Sequence, residues 1–389
     1  MTLGTERIGR IMEALQDVGL EALVCTLPTN VLLLSGYWPV VGTAVAVARR
    51  DGRVVVLVPE DEQELAARGW AAHVYTYQPG SLRSLTTPAA AVHEPLGVLL
   101  RDLSIAERRI GYEEDAAFEQ SSYVAMYRYQ ATPATVLAEA APRATLTPAG
   151  ELISRLRSAL TAEEVGQVRV ACAVAETAFV AAARLLRPGN SEAAVAAAFA
   201  TPLSVAGLAQ PGVERAGGFA FCMSGPNAAL AGGAYARSRD RALQHGDLVL
   251  VHCNSYVDGY WTDITRTYCL GEPDERQRAM YAAIHEARAA ALATIHPGAA
   301  AADVDAAARS VLEQHGFGAN FTHGVGHNVG LSAISADYPP RLHPASPDRL
   351  AVGMTFNIEP AIYIKGYGGM RHCDMVAVTA TGVEVLTDF

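Results

Sequence analysis

The first 130 or so residues alternate short apolar runs with stretches in which apolar side chains return every three or four positions. Ile8, Met12 and Leu15 keep helical spacing, whereas 22–25, 43–48 and 54–58 are apolar runs of strand length. This pattern predicts a small α/β domain. Further along, alanine, proline and threonine dominate, with Pro133, Pro142 and Pro148, as in a connection between domains. The expected organisation is a first domain over 1–135, a linker over 136–155 and a second domain over 156–389.

In the second domain, Thr161-Ala-Glu-Glu164 has capping-box spacing and opens a helical pattern that runs to Pro188-Gly189. A second long helix is expected from Asp274 to Pro297-Gly298. Each stop precedes an alanine-rich helix and then a β-rich segment, so one order of elements occurs twice. Residues 246–252 align with 353–359 at an offset of 107, and the same offset pairs Gly259-Tyr260 with Gly366-Tyr367. His252 and Glu359 thereby become pseudo-symmetric partners. Two such halves packed face to face bring both strand ends to a central cleft.

Four polar segments fall at matching places in these halves: His252 with Asp263, His323 with His327, Glu359, and Arg371 to Asp374. Acids, imidazoles and one thiol are the donors that suit a divalent metal of intermediate softness. Any one of these histidines taken singly reads more simply as a hydrogen-bonded core residue. Their combination is what points to chemistry.

The chain resembles the creatinase, prolidase and aminopeptidase P family. The likeness rests on Gly19–Val24 through Asn30 to Ser35-Gly-Tyr37, Ser224-Gly-Pro-Asn227, the segment from Asp258 to Thr267, His323-Gly-Val-Gly-His327 and Ile358-Glu-Pro-Ala-Ile-Tyr363. It implies an α/β (α+β) chain with a creatinase-like N-terminal domain and a C-terminal pita-bread domain. The family's peptidases hold two metal ions with Asp, Asp, His, Glu and Glu. Asp263, His327 and Glu359 match three of these ligands, while His252 stands at the first aspartate and Cys373 at the last glutamate. Four negative charges thus fall to two, or three with a Cys373 thiolate, too few to neutralise two close divalent ions. The resemblance therefore implies at most one ion, Zn, Mn or Fe, with a metal-free site also compatible because creatinase hydrolyses a C–N bond without metal. Two further family histidines that contact the scissile peptide are replaced by Gly232 and Ile334, whereas His323 is present.

The leading expectation is a hydrolase cleaving a C–N bond of a small, non-peptide, amino-acid-like substrate. In it His252, His323 or His327 serves as base, Asp263 or Glu359 orients it, and Arg266, Arg371, Tyr260 and His343 border the substrate. For both arginines the plainer alternative is an internal ion pair with those same acids. Other readings are a one-metal Xaa-Pro dipeptidase or aminopeptidase, a lyase, and a non-catalytic pita-bread binding module. Cys373 is expected to be a thiol or a ligand, since the adjacent His372 points to the other face of the strand.

A formal charge of −10 argues against nucleic-acid or anionic-membrane partners, and the one lysine, Lys365, lacks a Schiff-base or P-loop motif. Six cysteines without a Cys-x-x-Cys pair suggest reduced thiols in a cytoplasm. No uninterrupted apolar run approaches membrane-spanning length. Relatives of this architecture form homodimers, which the resemblance carries over as an expectation. The shape of the substrate is assigned to loops around 36–42, 232–240 and 335–347.

Overall fold

A computed structural model describes residues 4–40, 44–79, 86–113, 134–232, 237–334 and 338–389. The chain divides into two compact units, 1–157 and 158–389.

In the first unit, α1 (Thr5–Asp17) turns Ile11, Ala14 and Leu15 inward and leads to β1 (Ala22–Cys25), a wholly buried strand. There follow α2 (Pro28–Ser35), β2 (Val45–Arg49), β3 (Val54–Pro59), α3 (Gln63–Ala66), β4 (His73–Tyr77), α4 (Pro88–Asp102) and β5 (Arg109–Tyr112). The chain then forms α5 (Ala134–Ala140), β6 (Thr145–Pro148) and α6 (Gly150–Ser158). The six strands make one mixed sheet in the order β4-β3-β2-β1-β5-β6. Thr43 and Pro133 lie outside the described residues.

The expected linker over 136–155 is folded structure. β6 pairs in parallel with β5, Arg109 opposite Thr145, and Leu137 and Ala140 of α5 enter the core of the sheet with Leu96 and Leu100. Proline and alanine suggested a connector, but Pro148 ends β6, at the sheet edge, where a missing N–H costs nothing.

The second unit opens with α7 (Ala162–Ala183), whose Thr161–Glu164 capping box forms as its spacing predicts. By length and composition α7 could cross a membrane. Its buried side carries Val168, Ala171, Ala175 and Phe179, and its exposed side carries Glu163, Arg169 and Glu176, the division of a core helix. Next come α8 (Glu192–Leu208), β7 (Ala216–Ser224), β8 (Leu248–Val257), β9 (Tyr260–Trp261) and β10 (Ile264–Cys269). The order repeats with α9 (Glu275–Thr294), which starts at Asp274 as expected and is capped by it, α10 (Ala301–Gln314), β11 (Thr355–Ile358), β12 (Ala361–Ile364), β13 (Gly368–Arg371), β14 (Asp374–Thr379) and β15 (Gly382–Val385).

β8 is central in a sheet with β7 and β10, β14 lies between β11 and β15, and β12 pairs with β13. Gly246 and Gly353 both adopt left-handed φ, 81° and 86°, as do Gly259 and Gly366, at 88° and 79°. The duplicated positions therefore share backbone geometry as well as sequence. The apolar core runs from Met280, Ile284 and Ala287 of α9 and Val304 and Leu312 of α10 onto Leu248, Leu250, Phe356 and Ile358 of the strands.

Candidate metal centre

One strand and the turns between others deliver the polar cluster. His252 sits in the middle of β8, Asp263 between β9 and β10, Glu359 directly after β11, and Cys373 between β13 and β14. Thr265 and Cys373 form a bridge that joins the two halves, with N–H···O bonds of 3.3 and 3.0 Å in the two directions. The loop bearing His323 and His327 is laid on β11 by Asn357 N–H to His327 O (3.2 Å) and Glu359 N–H to Val325 O (2.7 Å). Gly326 is required there, because a Cβ would stand 1.9 Å from Asn357 O. From α10, the buried Asp305 accepts the Val325 N–H at 2.8 Å and Arg309, which is paired with Asp305, donates to His323 O at 2.9 Å.

These segments bring the donor atoms together. His327 Nε2 lies 3.5 Å from Asp263 Oδ2 and 3.9 Å from Glu359 Oε1. Cys373 Sγ is 3.7 Å from Asp263 Oδ1, and ligand atoms of Asp263, Glu359 and Cys373 all lie within 4.8 Å of one another. A tetrahedral ion with bonds of about 2.1 Å spaces its ligands about 3.4 Å apart, so the donor set fits one such ion. His327 Nδ1 faces Asn328 O at 3.1 Å, which takes the ring proton and turns Nε2 to the acids.

The charges follow from the same contacts. Burial opposes ionisation of Asp263, but the nearby His252 and the hydrogen bond to His327 outweigh it and hold the carboxyl at about 2. For His327, burial is outweighed by Asp263 and Glu359, which raise it to about 9. Burial, with Arg371 beside it, keeps His252 below its ordinary value despite Asp263. Burial and then the flanking Asp263 and Glu359 push the Cys373 thiol well up, so it is a thiol unless a cation draws off its proton.

The structure places the remaining sequence candidates unequally. Arg371 reaches the cluster: its Nη2 donates to His252 Nδ1 at 3.0 Å and its Nη1 stands 3.5 Å from Glu359 Oε2. Arg266 does not. Its neighbour Thr265 points to the cluster, so Arg266 takes the other face of β10, pairing with Asp374 at 2.9 Å and donating to the carbonyls of Cys373, Thr387 and Phe389. The substrate role expected for Arg266 is corrected to an internal ion pair, with Asp374 rather than with Asp263 or Glu359. Tyr260 is buried in the β8–β9 hairpin, paired with Val257. His372 points away from Cys373 to Asp374, 3.2 Å from its Oδ2, as strand alternation requires.

His343 lines a cavity of about 360 Å³ with His323, His327, Glu359 and Arg341. Two further residues hold the site together. The Tyr363 hydroxyl bonds His323 Nε2 at 3.1 Å, and Asn357 bonds both the backbone and the ring of His327. Tyr363 closes a motif that the sequence displays, whereas Asn357 reads only as a polar residue in a buried strand. A Cβ at Gly232 would stand 2.7 Å from the Tyr363 ring, so that ring fills the space a side chain at 232 would need. Residues 41–43, 233–236 and 335–337 of the expected substrate loops lie outside the described residues.

The sequence profile of metallopeptidase family M24 matches residues 166–380, and that of the creatinase/prolidase N-terminal domain matches residues 7–159. The chain belongs to metallopeptidase family M24. Its second unit is the pita-bread domain of that family and its first the creatinase-like domain. Among M24 relatives, a Xaa-Pro dipeptidase from Pyrococcus furiosus is 28% identical over 384 residues, covering 98% of this chain and 97% of the relative. A probable dipeptidase PepE from Mycobacterium bovis is 36% identical over 235 residues, 60% of each chain. The crystal structure of the prolidase from Pyrococcus horikoshii superposes with a TM-score of 0.75 at 25% identity, covering 99% of this chain and 98% of that one. As an M24 member the chain is a hydrolase of C–N bonds in a family that uses divalent metals, and among the described residues Asp263, Glu359 and Cys373 form a group that could hold an ion, with His327 beside it.

Proposed function

We propose that the chain hydrolyses the C–N bond of a dipeptide-sized substrate with a single divalent ion held by Asp263, His327 and Glu359, Cys373 being the fourth donor. The observation that carries this reading is the convergence of those donors, two of which, His327 and Glu359, line the cavity of about 360 Å³, at the small end of ligand pockets, about 300–1,000 Å³. The names of the relatives make dipeptides with proline in second position the first substrates to try.

An ion at this centre supplies a Lewis acid for the scissile carbonyl. The chain's own residues do the rest. His323 gives its Nδ1 proton to Gly324 O at 2.8 Å, which leaves Nε2 to accept the Tyr363 hydroxyl. His343 Nδ1 accepts the Ala345 N–H at 3.1 Å, so the neutral ring carries its proton on Nε2 as a donor for a substrate oxygen or for the leaving amine. The Arg341–Asp348 clamp, with contacts of 2.7 and 2.9 Å, holds the loop that presents His343.

One observation favours a second reading. With Tyr363 filling the space beside Gly232, no imidazole can stand there to hold a peptide carbonyl, which suits a small non-peptide amide or amidine. Six unpaired thiols, with Cys269 alone half-buried, support a reducing, cytoplasmic setting, and a homodimer is the assembly we infer.

The test is amine release by metal-stripped protein resupplied with Zn, Mn, Co or Fe(II), on Xaa-Pro dipeptides and on N-acyl and amidino amino acids. The expected result is turnover that needs the ion and is lost in Asp263→Ala. Turnover of proline dipeptides selects the first reading and turnover of the other set alone selects the second. Activity unchanged by chelation and by Asp263→Ala contradicts both.

A further inference from the structure

We propose that Cys373 decides which ion the centre takes: sulfur at the place of the family's last glutamate turns the site toward Zn and away from Mn. The inference rests on the one-ion reading above and adds the identity of the ion.

Cys373 is held in place by its own backbone. It is wholly buried, and its main chain forms the bridge to Thr265 that joins the two halves, with N–H···O bonds of 3.0 and 3.3 Å. Only one side-chain torsion separates that fixed backbone from Sγ, so the donor atom has few places to go. Sγ stands 3.7 Å from Asp263 Oδ1. A tetrahedral ion with bonds of about 2.3 Å to sulfur and about 2.1 Å to oxygen spaces those two donors about 3.6 Å apart. Glu359 completes the group, its ligand atom lying within 4.8 Å of the other two. Asn357 faces the sulfur as well. Its Oδ1 accepts the His327 N–H at 2.7 Å, which turns Nδ2 toward the His327 ring and toward Sγ, 3.6 Å away. An N–H aimed at sulfur suits an anionic ligand there.

The chemistry of the donors gives the preference. Carboxylates suit Mn and Mg, imidazole suits Zn, and thiolate favours Zn over both hard ions. A glutamate at 373 would add one more hard oxygen to those of Asp263 and Glu359. A cysteine instead adds a polarisable donor to the imidazole of His327. Because the Thr265 bridge holds the residue, the sulfur cannot easily withdraw to let a harder ion fill its shell with water.

The experiment reads absorption and affinity rather than turnover. Full-length chain is stripped of metal and titrated with Co, and its near-ultraviolet spectrum is recorded. The expected result is a sulfur-to-cobalt charge-transfer band that is lost in Cys373→Ser and kept in Cys269→Ser, the latter changing the half-buried thiol bonded to Gln277. Sites of nitrogen and oxygen donors already hold Zn more tightly than Mn, so the diagnostic is the change in the Zn-to-Mn affinity ratio. Competition with a chelating dye is expected to show that ratio falling by about tenfold or more in Cys373→Ser and Cys373→Asp. Melting curves establish that each variant folds, and the parent spectrum needs no variant. Cobalt bound without the sulfur band, or a ratio unchanged in the folded variants, overturns the role of Cys373 while the site of Asp263, His327 and Glu359 stands. A parent whose ion affinity is the same in Asp263→Ala overturns both.

Discussion

Asp263 is the residue on which the centre turns. It lies 2% exposed between His252 and His327, and it is the acid that contacts both imidazoles. Asp263→Asn is nearly isosteric and is expected to lower ion affinity by about 10- to 100-fold or more, as measured by competition with a chelating dye, because a neutral amide is a far weaker donor. Asp348 offers a contrast, since its hydrogen bond with Arg341 holds the carboxyl below the ordinary range. Its stabilisation is therefore fully present above the unfolded value of about 3.9 and fades as pH falls through the lower folded value. Asp348→Asn should cost about 1 kcal/mol at pH 7, given that Arg341 is partly exposed, and the difference between parent and variant should shrink below about pH 4 in urea melts. Asp263, His327 and Glu359 were legible in the sequence because they sit in dense motifs. Arg266 lies off the site; a one-dimensional pattern shows that an arginine lies beside a site but not which face of the strand it takes.

Elements explain both sides of that contrast. The capping box at Thr161 marks the start of α7 because the signal is local and its hydrogen bonds are made within one turn, whereas α7 and α9 end at Ala183 and Thr294, short of the Pro188-Gly189 and Pro297-Gly298 stops. The composition of 136–155 suggests a linker because β6 is a four-residue edge strand, its pairing with β5 being long-range and invisible in composition. Arg266 belongs to an element-level lock, in which β10 is tied to β14 and the C-terminal segment through Asp374, Thr387 and Phe389. Arg266→Met should lower stability by about 3–5 kcal/mol, because it leaves Asp374 buried beside Arg288 with one partner missing. Under conditions where the variant is folded, its KM should stay near the parent value. A large KM rise in a folded variant would restore a substrate role.

For the molecule as a whole, the duplication accounts for the position of the site. The 107-residue offset places His252 opposite Glu359, and the Thr265–Cys373 bridge is where the halves meet. The paired glycines test the equivalence. Gly246 and Gly353 share a left-handed φ, but a Cβ at 246 meets nothing within 4 Å whereas one at 353 stands 2.2 Å from Leu160 O. Gly246→Ala should therefore cost about 1 kcal/mol for conformation alone, and Gly353→Ala clearly more, as read in thermal melts. What the sequence could not show is the space between the halves: that Tyr363 fills the position beside Gly232, and that Arg371 links His252 to Glu359. The most direct measurement is anomalous diffraction at the Zn or Co edge from crystals soaked in that ion. One peak bonded to Asp263, His327 and Glu359, with the Arg371 guanidinium beside it, is the expected result. Two peaks a few ångströms apart, or no peak among these side chains, would contradict it.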